Sequence, residues 1–153
     1  MSTCFFIGSR HAPSSIKEVL IEVTEKHITD YNVTTFTVGH YGGFDSLVIS
    51  ALKELKKKYT NINLYLLFPY ALTQKSIEIP DGFSSIYPDG LEHVPLRLAI
   101  VQANMLSVRA NDYLIAYPSA VGNSRKICEY AQKLEKKGLI KKVTVLQNLC
   151  VSG

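Results

Sequence analysis

The first group of residues suited to chemistry is a glycine-bearing turn placed directly after an apolar run. The run covers positions 3–7, and Gly8, Ser9 and Arg10 follow it. Glycine lets the backbone approach a ligand closely, serine donates a hydroxyl, and arginine presents a fork of N–H donors that fits a phosphate or a carboxylate. The alternative is a tight turn with an arginine on the surface, and the sequence leaves both interpretations open.

A second glycine-bearing loop, at positions 39–45, follows another apolar run and leads straight into a helical pattern. Gly42 and Gly43 permit positive φ, and we expect the first amides of the helix to point at an anion. Asp45 lies in the first turn, where it either caps the helix or accepts hydrogen bonds from a ribose or base. His40 is either a further ligand-binding residue or a loop histidine of no consequence. It has no carboxylate partner identifiable in the sequence, so we assign it no proton transfer.

Two further groups are candidates for the same ligand. Arg97, Val101 and Asn104 share one face of a predicted helix. Either the arginine and the asparagine make polar contacts to the ligand as a clamp, or this face is simply half exposed to solvent. Positions 118–124 join a predicted strand to its helix, and their small polar side chains either cap the helix or contact phosphate. The candidates in this last loop are Ser119, Gly122, Asn123 and Ser124.

The elements that must position these groups alternate between strands and amphipathic helices. Strands are predicted at 3–7, 33–38, 62–68, 113–117 and 143–146, and helices at about 15–29, 44–59, 96–108 and 122–138. This alternation is typical of a parallel sheet covered on both faces. We therefore predict a doubly wound, Rossmann-like α/β fold of three layers. Its five-stranded, mainly parallel sheet has the order 3-2-1-4-5, within a single domain over 1–153.

In that strand order the carboxyl ends of the first and fourth strands form a topological switch, where ligands bind in open α/β sheets. The loops at 8–13, 39–45 and 118–124 converge there, which makes this edge the predicted binding site. Positions 69–95 are predicted to be irregular, because prolines and glycines interrupt them throughout.

Composition and missing motifs bound the function. The net charge of +4 suits an anionic ligand, but no Lys/Arg cluster is interleaved with aromatics, which speaks against a nucleic-acid partner. No signal peptide and no apolar run of membrane-spanning length is visible, so we expect a cytoplasmic protein without a membrane partner. The patterns of P-loop nucleotidases, NAD oxidoreductases, serine hydrolases and zinc sites are absent, and we expect no cofactor and no metal.

Several short motifs, taken together, resemble a short branch of the SLOG superfamily, which groups the DNA-processing protein A fold with the Lonely Guy phosphoribohydrolases. The motifs are positions 6–10, 42–47, 87–90, Arg97, 104–105 and 112–117, and the resemblance spans about Cys4 to Val145. It implies a Rossmann-like fold that binds nucleotides or nucleotide-derived ligands, which several members sense.

The chain departs from that superfamily at two points. Ser9 stands where the short branch usually has histidine. The Lonely Guy pattern P-G-G-x-G-T-x-x-E corresponds to positions 120–127, and Ile127 takes the place of its glutamate. Without a carboxylate there, nothing obvious is left to stabilise an oxocarbenium ion, which speaks against N-glycosidic hydrolysis of a nucleotide.

Three functional hypotheses follow. The leading one is a sensor or sequestering protein that binds an ADP-ribose-like or cyclic nucleotide species at the switch crevice. The second is an N-glycosidase with a different carboxylate, Asp45 or Glu92, so whether the chain is an enzyme is left open. The third is a single-stranded nucleic acid binder. The apolar helix at 96–108 is either a buried element or the face of a homodimer.

Overall fold

Strands and helices alternate along most of the chain, as predicted. A computed structural model describes residues 2–71 and 77–149. The strands are β1 Ser2–Gly8, β2 Val33–Val38, β3 Asn63–Leu67, β4 Phe83–Ile86, β5 Tyr113–Tyr117 and β6 Lys142–Val145. The helices are α1 Lys17–Tyr31, α2 Gly43–Lys58, α3 Leu96–Ala110 and α4 Asn123–Lys136. Among the described residues, no helix is both long and apolar enough to cross a membrane.

The sheet has six parallel strands in the order β4-β3-β2-β1-β5-β6, so the predicted five-stranded sheet of order 3-2-1-4-5 is wrong. The additional strand is β4, which pairs with β3 at the edge of the sheet. It lies inside the predicted irregular segment 69–95, of which residues 72–76 are outside the described part. Only Phe83 and Ile86 of its four residues are apolar, and a glycine and a proline flank it, so its pattern resembles a loop.

The helices cover both faces of the sheet, which gives an α/β fold of three layers. Cys4 and Phe6 of β1 pack into a core cluster with α1 and α2. Phe5 and Ile7, which point the other way, pack into a second cluster with α3 and α4. The uninterrupted apolar run in β1 is therefore explained by burial on both faces.

The crossovers place three strand ends side by side. β1 lies between β2 and β5, and all three strands run in the same direction. The chain leaves β1 through α1 toward β2, whereas α3 brings it back to β5 on the other side. The loops that follow β1, β2 and β5 therefore meet at the carboxyl edge of the sheet, at the topological switch point where the strand order reverses.

Candidate functional site

A cavity of about 550 Å³ opens at this carboxyl edge, and we call it the switch cavity. Its walls come from the loops after β1, β2 and β5, together with one face of α3. The structure brings most of the predicted site residues into its lining: Gly8, Ser9, Arg10, Gly42, Asp45, Arg97, Asn104, Ser119, Asn123 and Ser124. Three predicted residues, His40, Gly43 and Gly122, lie outside the lining.

The backbone of the loop after β1 closes over the N-terminus of α2. The N–H of Gly43 donates to the carbonyl of Arg10 at 2.9 Å, and the N–H of Phe44 donates to the carbonyl of Ser9 at 3.1 Å. A helix begins with four backbone donors that lack partners within the helix. Because two of these donors are bonded to the neighbouring loop, α2 offers fewer amides to an anion than the sequence suggests.

The glycines of both loops are required by this close approach. A Cβ built on Gly8 would lie 2.3 Å from the ring of Phe44, and one on Gly43 would lie 2.7 Å from the carbonyl oxygen of Arg10. A Cβ on Gly42 would lie 2.7 Å from the Cα of Arg10. Neither Gly42 nor Gly43 has a positive φ, so that expectation is wrong. The residue type is dictated by packing of one loop on the other.

Asp45 is the acidic residue in the lining of the switch cavity, and its side chain is 9% exposed. Its Oδ2 accepts a hydrogen bond from the N–H of Tyr41 at 3.0 Å, which holds the second loop against α2. Burial raises the pKa of Asp45 to about 6, although the bond from Tyr41 opposes that shift. Asp45 therefore stabilises the second loop through its hydrogen bond from Tyr41, and it also adds a buried carboxyl to the lining of the switch cavity.

His40 packs inside the second loop instead of facing the cavity. Its ring lies 4.0 Å from the ring centroid of Tyr41 and 4.7 Å from that of Phe68. Burial lowers the pKa of His40, and the backbone carbonyl of Leu67 partly opposes that effect. The ring is held by aromatic packing.

The N-terminus of α4 is built differently. Gly122, with a φ of +98°, precedes the first residue of the helix. No side chain caps this end, and no acidic residue occupies its first turn. Ser124 Oγ instead accepts from the N–H of Ser119 at 3.0 Å and lies 2.8 Å from Ser119 Oγ. Within the described chain, the N–H groups at 123–125 have no hydrogen-bond partner. Asn123 and Ser124 line the cavity, so their N–H groups are the donors that α4 offers there.

Two arginines add positive charge to the same cavity. Arg10 comes from the loop after β1 and Arg97 from the first turn of α3, and both side chains are exposed. Among the described residues, the ion pairs are Lys17–Glu54 and Lys58–Glu25, so neither arginine is bound to a carboxylate. An exposed guanidinium without a partner is available to a phosphate, for which its N–H fork is well shaped.

Sequence reasoning missed several lining residues. His11 belongs to the first loop, 8–13, and Gly39 and Tyr41 belong to the second, 39–45, so loop membership would have found them. Ile100 lies next to the predicted polar face of α3 and adds apolar surface. Val121, in the predicted loop 118–124, is 81% exposed at the rim, and its apolar side chain kept it from the list of polar candidates.

The two carboxylates offered for hydrolysis are placed differently. Asp45 reaches the cavity, whereas Glu92 is not part of the lining. Ile127, which occupies the place of the Lonely Guy glutamate, lines the cavity and is buried. Within the described ranges, no group of three or more histidine, cysteine or acidic side chains is arranged to hold a metal ion.

Comparisons with known proteins support the fold. No family model matches the chain, and no curated protein matches it. Among solved structures, the chain is similar to DNA processing protein A from Helicobacter pylori, at 16% identity and a TM-score of 0.54. The match covers 97% of this chain and 78% of that one. The chain thus shares the α/β fold of that protein, while the resemblance to the SLOG superfamily and to its short branch stays a prediction.

This comparison overturns one expectation. The solved structure is described by its unique mode of single-stranded DNA binding. Our expectation against a nucleic-acid partner is therefore wrong, because a protein of similar fold binds single-stranded DNA. The net charge of +4 does not decide this question alone, since charge placed around one cavity matters more than the total.

Proposed function

We propose that the switch cavity binds a nucleotide through its phosphate. The observation that carries this proposal is the meeting, in one cavity, of the free N-terminus of α4 with Arg10 and Arg97. Backbone amides and a helix dipole favour an anion, and two guanidinium groups complete its neutralisation. The volume of about 550 Å³ lies within the range of ligand sites, which run from about 300 to 1,000 Å³.

The rest of the lining suits the base and sugar. Ile100, Val101 and Ile127 supply an apolar wall, against which a base can pack. Asn104 lies on the same helix face as Arg97, so its amide can bond a base edge or a ribose hydroxyl. Asp45 offers an acceptor for a sugar hydroxyl. A free nucleotide-derived molecule, ADP-ribose-like or cyclic, fills such a cavity in a sensing or sequestering role.

Single-stranded nucleic acid is the second candidate, in which the cavity holds one nucleotide of a longer strand. The similarity to DNA processing protein A favours this candidate over the first. The exposed positions of Arg10 and Arg97 are compatible with a strand that continues past the cavity. Both candidates need the same phosphate contacts, so they are distinguished by how affinity depends on the number of nucleotides in the ligand.

Calorimetric titration with AMP, ADP-ribose and oligo(dT) of increasing length tests both. Arg10→Ala and Arg97→Ala should each weaken binding about tenfold or more, because a charge-assisted hydrogen bond contributes about 1.5–3 kcal/mol. Arg109→Ala is the matched control, since this arginine is exposed on the same helix as Arg97 but does not line the cavity. The proposal fails if none of the ligands binds or if all three variants lose affinity equally.

The two candidates differ in their dependence on length and salt. A small-molecule site binds ADP-ribose more tightly than oligo(dT), with little further change as the oligonucleotide grows. A strand-binding site gains affinity with each added nucleotide, and its affinity falls steeply with salt, by a slope of about 0.7 per phosphate contacted.

A further inference from the structure

Three aromatic rings form a continuous row next to the carboxyl ends of β2 and β3. Phe68 directly follows β3 and is fully buried, and its ring centroid lies 4.7 Å from that of His40. The ring centroid of His40 in turn lies 4.0 Å from that of Tyr41, with an angle of 35° between the two ring planes. The row therefore leads from the core of the protein outward to Tyr41, in the loop that follows β2.

Tyr41 is the end of this row that reaches the switch cavity. It belongs to the lining of the cavity and is half-buried. A Cβ built on Gly39, which also lines the cavity, would lie 3.6 Å from Cδ2 of the Tyr41 ring and 3.0 Å from Oδ2 of Asp45. The ring itself, and not only the backbone of this residue, therefore lies at the cavity wall beside the carboxyl of Asp45.

The other six-membered ring of the lining is not available to a ligand. Phe6 of β1 is 1% exposed and packs into the core cluster under α1 and α2. Ile100, Val101 and Ile127 offer aliphatic contacts, which can pack against a base but present no ring to stack on it. Within residues 2–71 and 77–149, Tyr41 is therefore the six-membered ring that presents surface to a ligand in this cavity.

The ring of Tyr41 is uncharged at neutral pH. Burial is the main cause that raises the pKa of Tyr41 to about 12, and electrostatic interactions with Asp45 and Tyr70 act in the same direction. The hydroxyl therefore stays protonated, and the ring places no negative charge beside a bound phosphate. A neutral ring that is backed by two further rings is a surface on which a nucleobase can stack, since every base has a π-face.

We propose that the base of the ligand stacks on the ring of Tyr41, which makes Tyr41 the residue by which the switch cavity distinguishes a nucleotide from a sugar phosphate. The base then extends the row of rings by a fourth member. This inference rests on the proposed function, because it adds a stacking surface to the phosphate site of Arg10, Arg97 and α4. It applies to a free nucleotide and to one nucleotide of a strand alike, since both carry a base.

Calorimetric titration of the full chain with AMP and ribose 5-phosphate tests this inference, because the two ligands carry the same phosphate on the same sugar and differ by the base. AMP should bind about tenfold more tightly, since one base stacked on an aromatic side chain contributes about that factor. The ¹H resonances of the Tyr41 ring are a second readout. A stacked base should shift them upfield in a saturable manner through its ring current, whereas ribose 5-phosphate should leave them nearly unchanged.

Variants assign the preference for AMP to the ring. Tyr41→Leu should remove most of this preference, whereas Tyr41→Phe, which keeps a ring of the same size, should retain it. Tyr87→Leu is the matched control with an unchanged preference, because Tyr87 is 40% exposed and does not line the cavity. Arg10→Ala should weaken both ligands by the same factor, since both use the same phosphate contacts.

The outcomes separate this inference from the proposed function. If neither AMP nor ribose 5-phosphate binds, both fail. The inference alone is overturned by equal affinities for the two ligands, by a preference for AMP that survives in Tyr41→Leu, or by Tyr41 ring resonances that do not respond to AMP. The ring resonances are measured on the unchanged protein, so this result does not depend on the folding of any variant.

Discussion

The N-termini of α2 and α4 both reach the switch cavity, but their backbone amides have different partners. At α2, the N–H groups of Gly43 and Phe44 donate to carbonyls of the first loop, and Asp45 adds a carboxyl to the first turn. At α4, no side chain caps the end, and the first turn contains no acid. The first N-terminus is thus a packing junction, whereas the second is the part of the cavity best suited to an anion.

This difference shows that glycine-rich loops before helices serve two purposes that look alike in sequence. In both loops a glycine precedes a helix with small or polar residues around it. At the first helix the glycines make room for another loop of the same protein. At the second, a Cβ added to Gly122 would meet no atom within 4 Å, and the positive φ of this residue is the reason for glycine.

The largest expected effect is at the packing junction. Gly8→Ala should lower the free energy of unfolding by about 3 kcal/mol, because its Cβ would overlap the ring of Phe44. Gly122→Ala, the comparison at α4, meets no neighbour and should cost about 1 kcal/mol from backbone strain alone. Urea denaturation measures both. A Gly8→Ala variant as stable as the unchanged protein would show that the loop does not pack on α2 in this way.

The second prediction concerns the buried carboxyl of α2. Burial raises the pKa of Asp45 from 3.8 to about 6, so the folded state binds a proton more tightly than the unfolded state. Stability contributed by this group is therefore present at low pH and is lost as the pH rises through about 6. Between pH 4.5 and pH 7 the loss amounts to about 2 kcal/mol.

Asp45→Asn isolates this contribution, because asparagine keeps an oxygen that accepts from Tyr41 but does not titrate. The difference in unfolding free energy between the variant and the unchanged protein should depend on pH by about 2 kcal/mol over that window. Other acidic groups cancel in the difference. A difference that stays constant from pH 4.5 to 7 would contradict the burial of a carboxyl at this position.

The smallest effect on stability is expected at α4. Asn123→Asp adds a negative charge to a first turn that has none, which should stabilise the protein by about 0.5 kcal/mol through the helix dipole. The same charge should weaken AMP binding about tenfold by repulsion. Ser46→Asp, at the corresponding end of α2 but outside the cavity lining, should leave binding unchanged. Equal binding losses in both variants would remove the distinction between the two helices.

Much of the fold could be predicted because its signals are local. Apolar runs and helical spacing are repeated along the chain, and they located the helices and five of the six strands. Strand β4 could not be found in this way, since a four-residue edge strand with serines at its centre is stabilised by pairing with β3 and not by its own pattern. The strand count was wrong for that reason.

The loops that form the site could be predicted from the sequence, but the hydrogen bonds between them could not. The converging loops and the Arg97–Asn104 face of α3 lie together at the cavity because strand order determines which loop ends meet. Whether the first backbone N–H groups of α2 are available to a ligand depends on their hydrogen bonds to the carbonyls of Ser9 and Arg10. These contacts join residues more than 30 positions apart, and no local pattern reports them.

The most direct test of the account is an amide ¹H–¹⁵N titration with AMP. The N–H resonances of Asn123 and Ser124 should shift in a saturable manner, because these amides have no partner in the described chain and both residues line the cavity. Those of Gly43 and Phe44 should move little, since carbonyls already bind them. Large shifts at Gly43 and Phe44 with none at Asn123 and Ser124 would contradict the account.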